Sequence, residues 1–311
     1  MTTSKYTANF LVASTALIWG TSFVVIRFGL NYFDPISFVF LRFLFSVFLF
    51  LPVIIIKKIN VKKVLFDRKI IGIGFFNFVA FFFQYLGQDL TTAGNSALFV
   101  NFYVVIVPIF SHFILNEKIG IKTYISAVIG FIGVFFVSTN LNFKELMSGT
   151  FLGNILTFGA SLGWTGYIII SKKSLDETNS ELETFFGSIF WTTIFLLPEF
   201  LYFLVLKKNA VLDFSLISIL CLLYLVIFCT VGAFSLYLFA LKFANVSQSS
   251  IFLLLEIVVA FSLEIILSIF FPSLFPHSIP GTWSLFGIFL IILSMFLVSI
   301  KFTRKNRPLI D

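Results

Sequence analysis

A single carboxylate far inside an apolar run is the most obvious candidate for chemistry in this sequence. Glu256 follows Val246, the start of that run, by ten positions, so a helix would carry it about 15 Å into a bilayer. A charge at such depth is costly, and residues of this kind usually serve a function. We expect Glu256 to bind the amine of a substrate or to take up a proton. The alternative is a hydrogen-bonded carboxyl that only joins helices.

Aromatic and amide side chains at membrane depth could complete a binding site around this carboxylate. A pocket for an organic solute is mostly apolar or aromatic, with a few polar groups that orient the ligand. For each candidate, simple helix packing is the alternative role. The expected substrate-binding residues are Trp19, Asn77, Gln84, Asn101, Tyr103, Trp164, Phe252 and Glu256.

Gating or coupling is the second kind of chemistry, and its candidates are Glu256, Glu264 and Pro108. Glu264 would share a helix face with Glu256 and lie near the outer interface, where it could also be an ordinary solvated helix end. Pro108 removes a backbone hydrogen bond and can either loosen or merely kink its helix. We expect Arg42 and Asp89 near the outer face and interpret them as a structural or gating pair.

The composition requires that these residues sit in a membrane. Of 311 residues, 59% are hydrophobic and 11% charged, and the mean hydropathy is +1.07. Soluble domains carry about 25% charged residues, so a water-facing surface is excluded. The two cysteines share one apolar run, and the two histidines belong to no cluster with metal-ligand spacing. We therefore expect no disulfide, metal or cofactor, and there is no glycine-rich loop for ATP.

Ten apolar stretches are long enough for a helical crossing, which needs about 20 residues. A membrane barrel would alternate polar and apolar positions, whereas runs such as Phe43–Ile56 are continuously apolar. We therefore predict an all-α membrane protein without a soluble domain, and a retained first helix rather than a signal peptide. The predicted spans are roughly 8–30, 36–56, 70–88, 94–115, 120–138, 151–171, 184–206, 215–240, 247–271 and 281–300.

The distribution of Lys and Arg predicts the orientation, because cytoplasmic loops carry an excess of both. With ten spans both termini share one side, and 16 of the 21 basic residues fall there. The other side has only Arg27, Arg42, Lys144, Lys207 and Lys208. We expect both termini in the cytoplasm and the chain in the cytoplasmic membrane. The net charge of +7 follows from this bias and implies no nucleic-acid partner.

The two halves of the chain echo each other. Leu17–Thr21 is similar to Leu162–Gly166, and Pro52 with its following lysines has a counterpart at Pro198. We therefore predict two repeats of five helices, 1–145 and 146–311. Because five is odd, the second repeat would be inverted in the membrane, a common design of secondary transporters with a site at the midplane.

Short motifs along nearly the whole chain resemble the EamA-like family of the drug/metabolite transporter superfamily. In two places the pattern departs: Ile257 stands where the family has proline, and the segment 271–280 replaces a shorter connection that follows a glutamate. The motifs are Trp19-Gly20, Asp34-Pro35 before Arg42, Thr91–Ala97, Val107-Pro108, Asn116-Glu117-Lys118, Gly130, Gly133 and Leu255-Glu256.

This resemblance implies a secondary transporter, rather than an enzyme, that moves an amino acid or related small metabolite by alternating access, often outward. Its partners would be the small-molecule substrate and membrane lipid, with protons as candidate coupling ions, and it would be a monomer or homodimer. The alternatives are a channel or a non-transporting scaffold. An intramembrane enzyme is disfavoured because the aspartates lie near the expected membrane edges and form no pair.

Overall fold

The computed structural model of the protein describes residues 5–91, 93–144, 150–177, 179–207, 212–271 and 281–300. These residues are almost entirely helical. In chain order the helices are α1 (Lys5–Gly29), α2 (Pro35–Ile56), α3 (Val61–Leu65), α4 (Arg68–Leu90), α5 (Ala93–Val100), α6 (Tyr103–Ile114), α7 (Ile121–Thr139), α8 (Phe151–Glu177), α9 (Glu181–Tyr202), α10 (Leu216–Tyr224), α11 (Ala233–Phe243), α12 (Val246–Leu253), α13 (Leu255–Phe270) and α14 (Thr282–Ser299).

Nine helical stretches in the described part of the chain are long and apolar enough to cross a membrane. They coincide with nine of the predicted spans, which confirms an all-helical, multi-pass membrane protein. The remaining predicted span, 151–171, lies within α8, a helix of 27 residues that is not among the nine. The predicted boundary between 145 and 146, the connection 272–280 and the basic C-terminal residues lie outside the described residues.

Local capping explains where several helices begin. Asp34 accepts a hydrogen bond from the Ser37 amide at 2.9 Å, and Pro35 occupies the first turn of α2. Such a side chain satisfies a backbone N–H that has no partner within the helix. Asp67 caps α4 in the same way through the amides of Lys69 and Ile70. These polar residues therefore set the ends of otherwise continuously apolar spans.

Two predicted spans are broken near their middle. The fourth divides into α5 and α6 at Asn101–Phe102, where the Val104 amide bonds to the third carbonyl back, that of Asn101. The ninth divides into α12 and α13 at Leu254, where the Ile257 amide bonds to Leu254 in the same tightened way. Pro108, the expected point of weakness, lies within α6, more than one turn beyond the first break.

A wide helical turn interrupts the eighth predicted span, which the sequence did not reveal. Leu225–Gly232 is a π-helix between α10 and α11, and a second π-helix, Phe203–Lys207, continues α9. A π-helix has hydrogen bonds to the fifth residue back; such helices are rare and often occur at functional sites. The π-helix Leu225–Gly232 contributes a hydroxyl and a carbonyl to the interior described below.

Most of the close helix contacts join a helix of the N-terminal half (α1–α7) to a helix of the C-terminal half (α8–α14). α1 lies along α11 and α13, α4 along α8 and α9, α2 along α9, and α7 along α14. The last pair is closely packed: a Cβ built on Gly133 would lie 2.7 Å from the Gly287 carbonyl oxygen. Gly287 has the Gly133 carbonyl equally near, so the two backbones meet where only glycine fits.

Candidate functional site

A cavity lies between helices of the N-terminal half of the chain (α1, α2 and α4 to α6) and helices of the C-terminal half (α8 and α11 to α13). It contains about 570 Å³ of space free of protein atoms, part of it at an open mouth. Its walls are chiefly aromatic, with a few polar groups. The lining residues are Trp19, Ser22, Phe23, Ile26, Arg42, Phe81, Gln84, Val100, Tyr103, Trp164, Tyr167, Ile168, Phe234, Tyr237, Leu253 and Glu256.

Trp19 and Trp164 meet at one wall of this cavity. Their ring centroids are 5.9 Å apart and the planes are inclined by 49°, within the range of favourable aromatic contacts. The Trp164 indole N–H donates to Gln84 Oε1 at 3.1 Å, and that of Trp19 donates to the Cys229 carbonyl in the π-helix at 3.0 Å. Three expected site residues are therefore connected, with both indole donors satisfied.

Glu256 also lines the cavity and is 8% exposed. It lies in the first turn of α13, directly after the break at Leu254. A helix N-terminus carries a partial positive charge that favours a carboxylate. Tyr103 occupies the corresponding first turn of α6 after the other break. The two broken spans thus place one polar side chain each in the same cavity.

Arg42 is a cavity residue that sequence reasoning did not include among the substrate-binding residues. It is 2% exposed and lies two helical turns inside α2, so its side chain is buried in the protein. Among the described residues no carboxylate lies within 4 Å of it, so the expected pairing with Asp89 is wrong. Its position between Leu41 and Phe43 was the available signal, because the cost of burial applies to a guanidinium as it does to Glu256.

Tyr167 and Tyr237 were also missed, and both are fully buried. Within the described residues, the Tyr237 hydroxyl has no hydrogen-bond partner, so it is free to bind a ligand that enters the cavity. A phenolic hydroxyl both donates and accepts. Nothing in the local sequence distinguishes these two tyrosines from the other seven in the chain.

Five expected residues do not line the cavity, and four of them lie in helix packing. Asn77 donates to Thr192 Oγ1 at 2.9 Å between α4 and α9, and Asn101 donates to the Ala97 carbonyl at 2.9 Å at the helix break. Phe252 packs against the apolar core beside the cavity, and Pro108 is buried within α6. Their positions favour packing roles, the alternative recognised for each.

Glu264 pairs with Arg27, with Nη1 and Oε1 2.5 Å apart, and this links α13 to α1. The two side chains are 36% and 58% exposed, and pairs so exposed contribute roughly 0–1 kcal/mol to stability. This contact lies outside the cavity, so a gating role would require that it open and close. Of the described residues, no group of three His, Cys, Asp or Glu side chains could hold a metal ion.

The chain is similar to known proteins in sequence and in fold. The profile of the EamA-like transporter family matches residues 6–139 and 151–300. A protein of Archaeoglobus fulgidus named "Uncharacterized transporter" is 28% identical over 297 residues, covering 94% of this chain and 86% of its own. A Salmonella typhimurium protein named "Probable amino-acid metabolite efflux pump" is 24% identical over 236 residues, 74% of this chain and 76% of its own.

One solved crystal structure has the same fold, with a TM-score of 0.75 at 15% identity over 95% of this chain and 97% of that one. The family profile covers most of the chain, and the apolar helices make it a multi-pass protein. This chain therefore belongs to the EamA-like transporter family.

Proposed function

We propose that this protein is a secondary transporter that exports an amino acid or a related small metabolite across the cytoplasmic membrane by alternating access. The observation that carries the proposal is the aromatic cavity between the two halves of the chain, which contains Glu256 and the indoles of Trp19 and Trp164. Such a cavity, apolar with few polar groups, suits a small organic solute.

An inverted repeat of ten spans, in which α8 is the sixth, is part of this proposal. Each span of the first repeat then corresponds to the span five positions later, so the contact of α4 with α8 corresponds to the contact of α11 with α1. In the same way, the contact of α1 with α13 corresponds to the contact of α8 with α5 and α6. The pairs α2 with α9 and α7 with α14 map onto themselves. The two separate matches of the family profile support the same division.

The broken helices support a transport mechanism. Discontinuous spans at corresponding positions of two repeats commonly form the substrate site of secondary transporters. Here the breaks before Tyr103 and Glu256 occur in the fourth and ninth spans, which are counterparts in the proposed repeat. Rocking of the two halves would then expose the cavity alternately to the two sides.

The proposed solute class is inferred from the side chains of the cavity, and the proposed direction of transport from the name of a relative. Glu256 would bind an amine, and the indoles would contact an apolar group. The Salmonella relative's name refers to efflux of amino-acid metabolites, which favours export. The excess of Lys and Arg in the loops that follow even-numbered spans supports cytoplasmic termini.

Glu256 is the proposed coupling residue, which would exchange a proton when the cavity meets water. The titratable and charged groups that face it across the cavity are Arg42 on α2, Tyr103 on α6, Tyr167 on α8 and Tyr237 on α11. A proton bound there would compete with the amine of the solute, which couples export to proton uptake.

The test is a transport assay in proteoliposomes. The metabolites assayed are those whose retention differs between cells that lack the protein and cells that express it. A transporter predicts flux that saturates with concentration and depends on pH, whereas a channel predicts flux that does not saturate. Glu256→Gln should abolish the pH dependence while the protein remains folded. Glu199→Gln, on α9 and away from the cavity, is the matched control. Wild-type rate and pH profile in Glu256→Gln would end the coupling proposal.

A further inference from the structure

The cavity contains a buried cation that the described protein residues leave without a counter-ion. The Arg42 guanidinium lies over the rings of Phe81 and Phe43, 5.0 and 5.8 Å from their centroids. Among the described side chains no carboxylate is within 4 Å of it, and that includes Glu256 in the same cavity. Breaking or omitting the partner of a buried charge is strongly destabilising, so this arrangement requires a compensating role.

Thr230 fixes the direction of this guanidinium. Arg42 Nε donates to Thr230 Oγ1 at 2.7 Å, while the Thr230 hydroxyl donates its single proton to the Leu225 carbonyl at 2.9 Å. The carbonyl is five residues back, which is the spacing of the π-helix. The hydroxyl lone pairs are therefore held toward Arg42, and the guanidinium cannot turn freely.

With Nε occupied, the two terminal nitrogens form the free side of the guanidinium. Their parallel N–H groups match the two oxygens of a carboxylate. The Tyr85 hydroxyl lies close by, but without the geometry of a hydrogen bond. A cavity with a fixed guanidinium and a separate carboxylate thus has two opposite charges that do not neutralise each other directly.

We propose that Arg42 binds the carboxylate of the transported solute, and that Thr230 is the positioning residue that aims it. The solute is then a zwitterion, with its carboxylate at Arg42, its amine toward Glu256 and its apolar part against the indole pair. This proposal rests on the proposed transport function and names the group that the cavity recognises.

Matched ligands test the assignment directly. The probes are the standard L-amino acids and their α-carboxamides, which keep the amine and side chain but replace the carboxylate with a neutral amide. Binding to the purified full-length protein is measured by thermal shift over a concentration series. We expect at least one acid to stabilise the protein and its amide to bind about 10- to 100-fold more weakly, the range of a charge-assisted hydrogen bond.

Variants then locate the recognition. Arg42→Gln should remove the difference between acid and amide, and Thr230→Val should reduce it while Thr230→Ser, which keeps the hydroxyl, restores it. Arg68→Gln, an exposed arginine at the start of α4, should leave the difference unchanged. The Thr230 pair keeps the test informative if Arg42→Gln fails to fold, since loss of fold would not distinguish acids from amides.

The proposal is overturned if no acid binds the wild-type protein better than its amide, or if Arg42→Gln or Thr230→Val retains the full difference. Flux into proteoliposomes separates this failure from that of the transport function. A carboxylate-free metabolite carried equally by wild type and Arg42→Gln would leave transport standing and remove the Arg42 assignment. If acid binding depends on Arg42 but no solute is transported, the Arg42 assignment stands and the proposed transport function fails.

Discussion

At the scale of single residues, the interior is notable for how its polar groups divide between satisfied and free. The two indole donors in the cavity are bonded within the protein, and so is Arg42 Nε. The hydroxyl of Tyr237, which also lines the cavity, has no hydrogen-bond partner among the described residues. Since an unsatisfied buried polar group costs roughly 1–3 kcal/mol, a ligand that bonds to this hydroxyl would remove that cost on the proposed function.

Trp164 provides a test of aromatic recognition. Trp164→Phe keeps an apolar ring but loses the contact area of the indole and the hydrogen bond to Gln84. We expect the half-saturation concentration for transport to rise about 2- to 10-fold, the worth of one aromatic contact. Trp283→Phe, which alters a ring stacked on Phe136 away from the cavity, should leave it unchanged. An equal effect of both variants would indicate a general loss of stability.

Asp67 connects the start of α4 to the connection between α8 and α9. Partial burial would raise the pKa of Asp67, but hydrogen bonds from Asn179 and from the Lys69 and Ile70 amides, with the Lys69 charge, outweigh it and lower the pKa. A carboxyl whose pKa is lower in the folded state stabilises that state at neutral pH. The contribution is lost as pH falls from about 3.9, its ordinary value, through the lowered one.

Asp67→Ala should therefore destabilise the protein by about 1 kcal/mol at pH 7, as the loss of a helix cap does. The difference from wild type should shrink as the pH falls below about 3.9 toward the lowered pKa of the folded carboxyl. Melting temperatures of both proteins in detergent across this range measure it. A difference that stays constant from pH 7 to pH 3 would contradict the role assigned to the charge.

At the scale of helices, two features stand out: helices whose backbones come into close contact, and helices that are interrupted within a span. The crossing of α7 and α14 depends on Gly133 and Gly287, each of which faces the other's carbonyl oxygen. By contrast, three of the spans that line the cavity are interrupted, at Asn101–Phe102, at Leu254 and along the π-helix. The cavity is thus formed by interrupted spans together with continuous ones.

Gly133→Val should disrupt this crossing, because the added methyl groups would meet backbone atoms that cannot move aside. We expect a loss of about 1–3 kcal/mol, typical of overpacking, seen as a lower melting temperature and a smaller yield of monodisperse protein. Gly72→Ala is the control: its Cβ would meet only one side-chain atom, at 3.7 Å. A wild-type melting temperature for Gly133→Val would show that the crossing adjusts freely.

At the scale of the whole molecule, orientation is the property that transport direction requires. On the topology proposed from the charge bias, the segment around α3, which includes Lys62 and Lys63, lies in the cytoplasm, and the segment around Lys144 lies outside. Both lysines chosen for the test, Lys62 and Lys144, are exposed. A membrane-impermeant thiol reagent can therefore reach each of them from one side only.

In a background with Cys221 and Cys229 replaced by alanine, Lys62→Cys should resist labelling in intact cells and become labelled after the membrane is opened. Lys144→Cys should be labelled in intact cells, which controls for reagent and expression. The reverse pattern would invert the proposed topology, and labelling of both sites in intact cells would rule out the proposed arrangement of spans between them.

The helical membrane class, nine of the spans and the family follow from the sequence itself, because hydrocarbon forces each crossing to be a continuous run of about 20 apolar residues. Glu256, Trp19, Trp164, Gln84 and Tyr103 were found because polar or large aromatic groups in such runs stand out. Tertiary structure decided the rest. Whether Asn77 or Arg42 reaches the cavity depends on which face of a helix turns inward, and an apolar environment on every side leaves no periodicity to indicate that face. The helix breaks and the π-helix depend in the same way on partners distant in sequence, such as the Trp19 indole at the Cys229 carbonyl and Arg42 at Thr230.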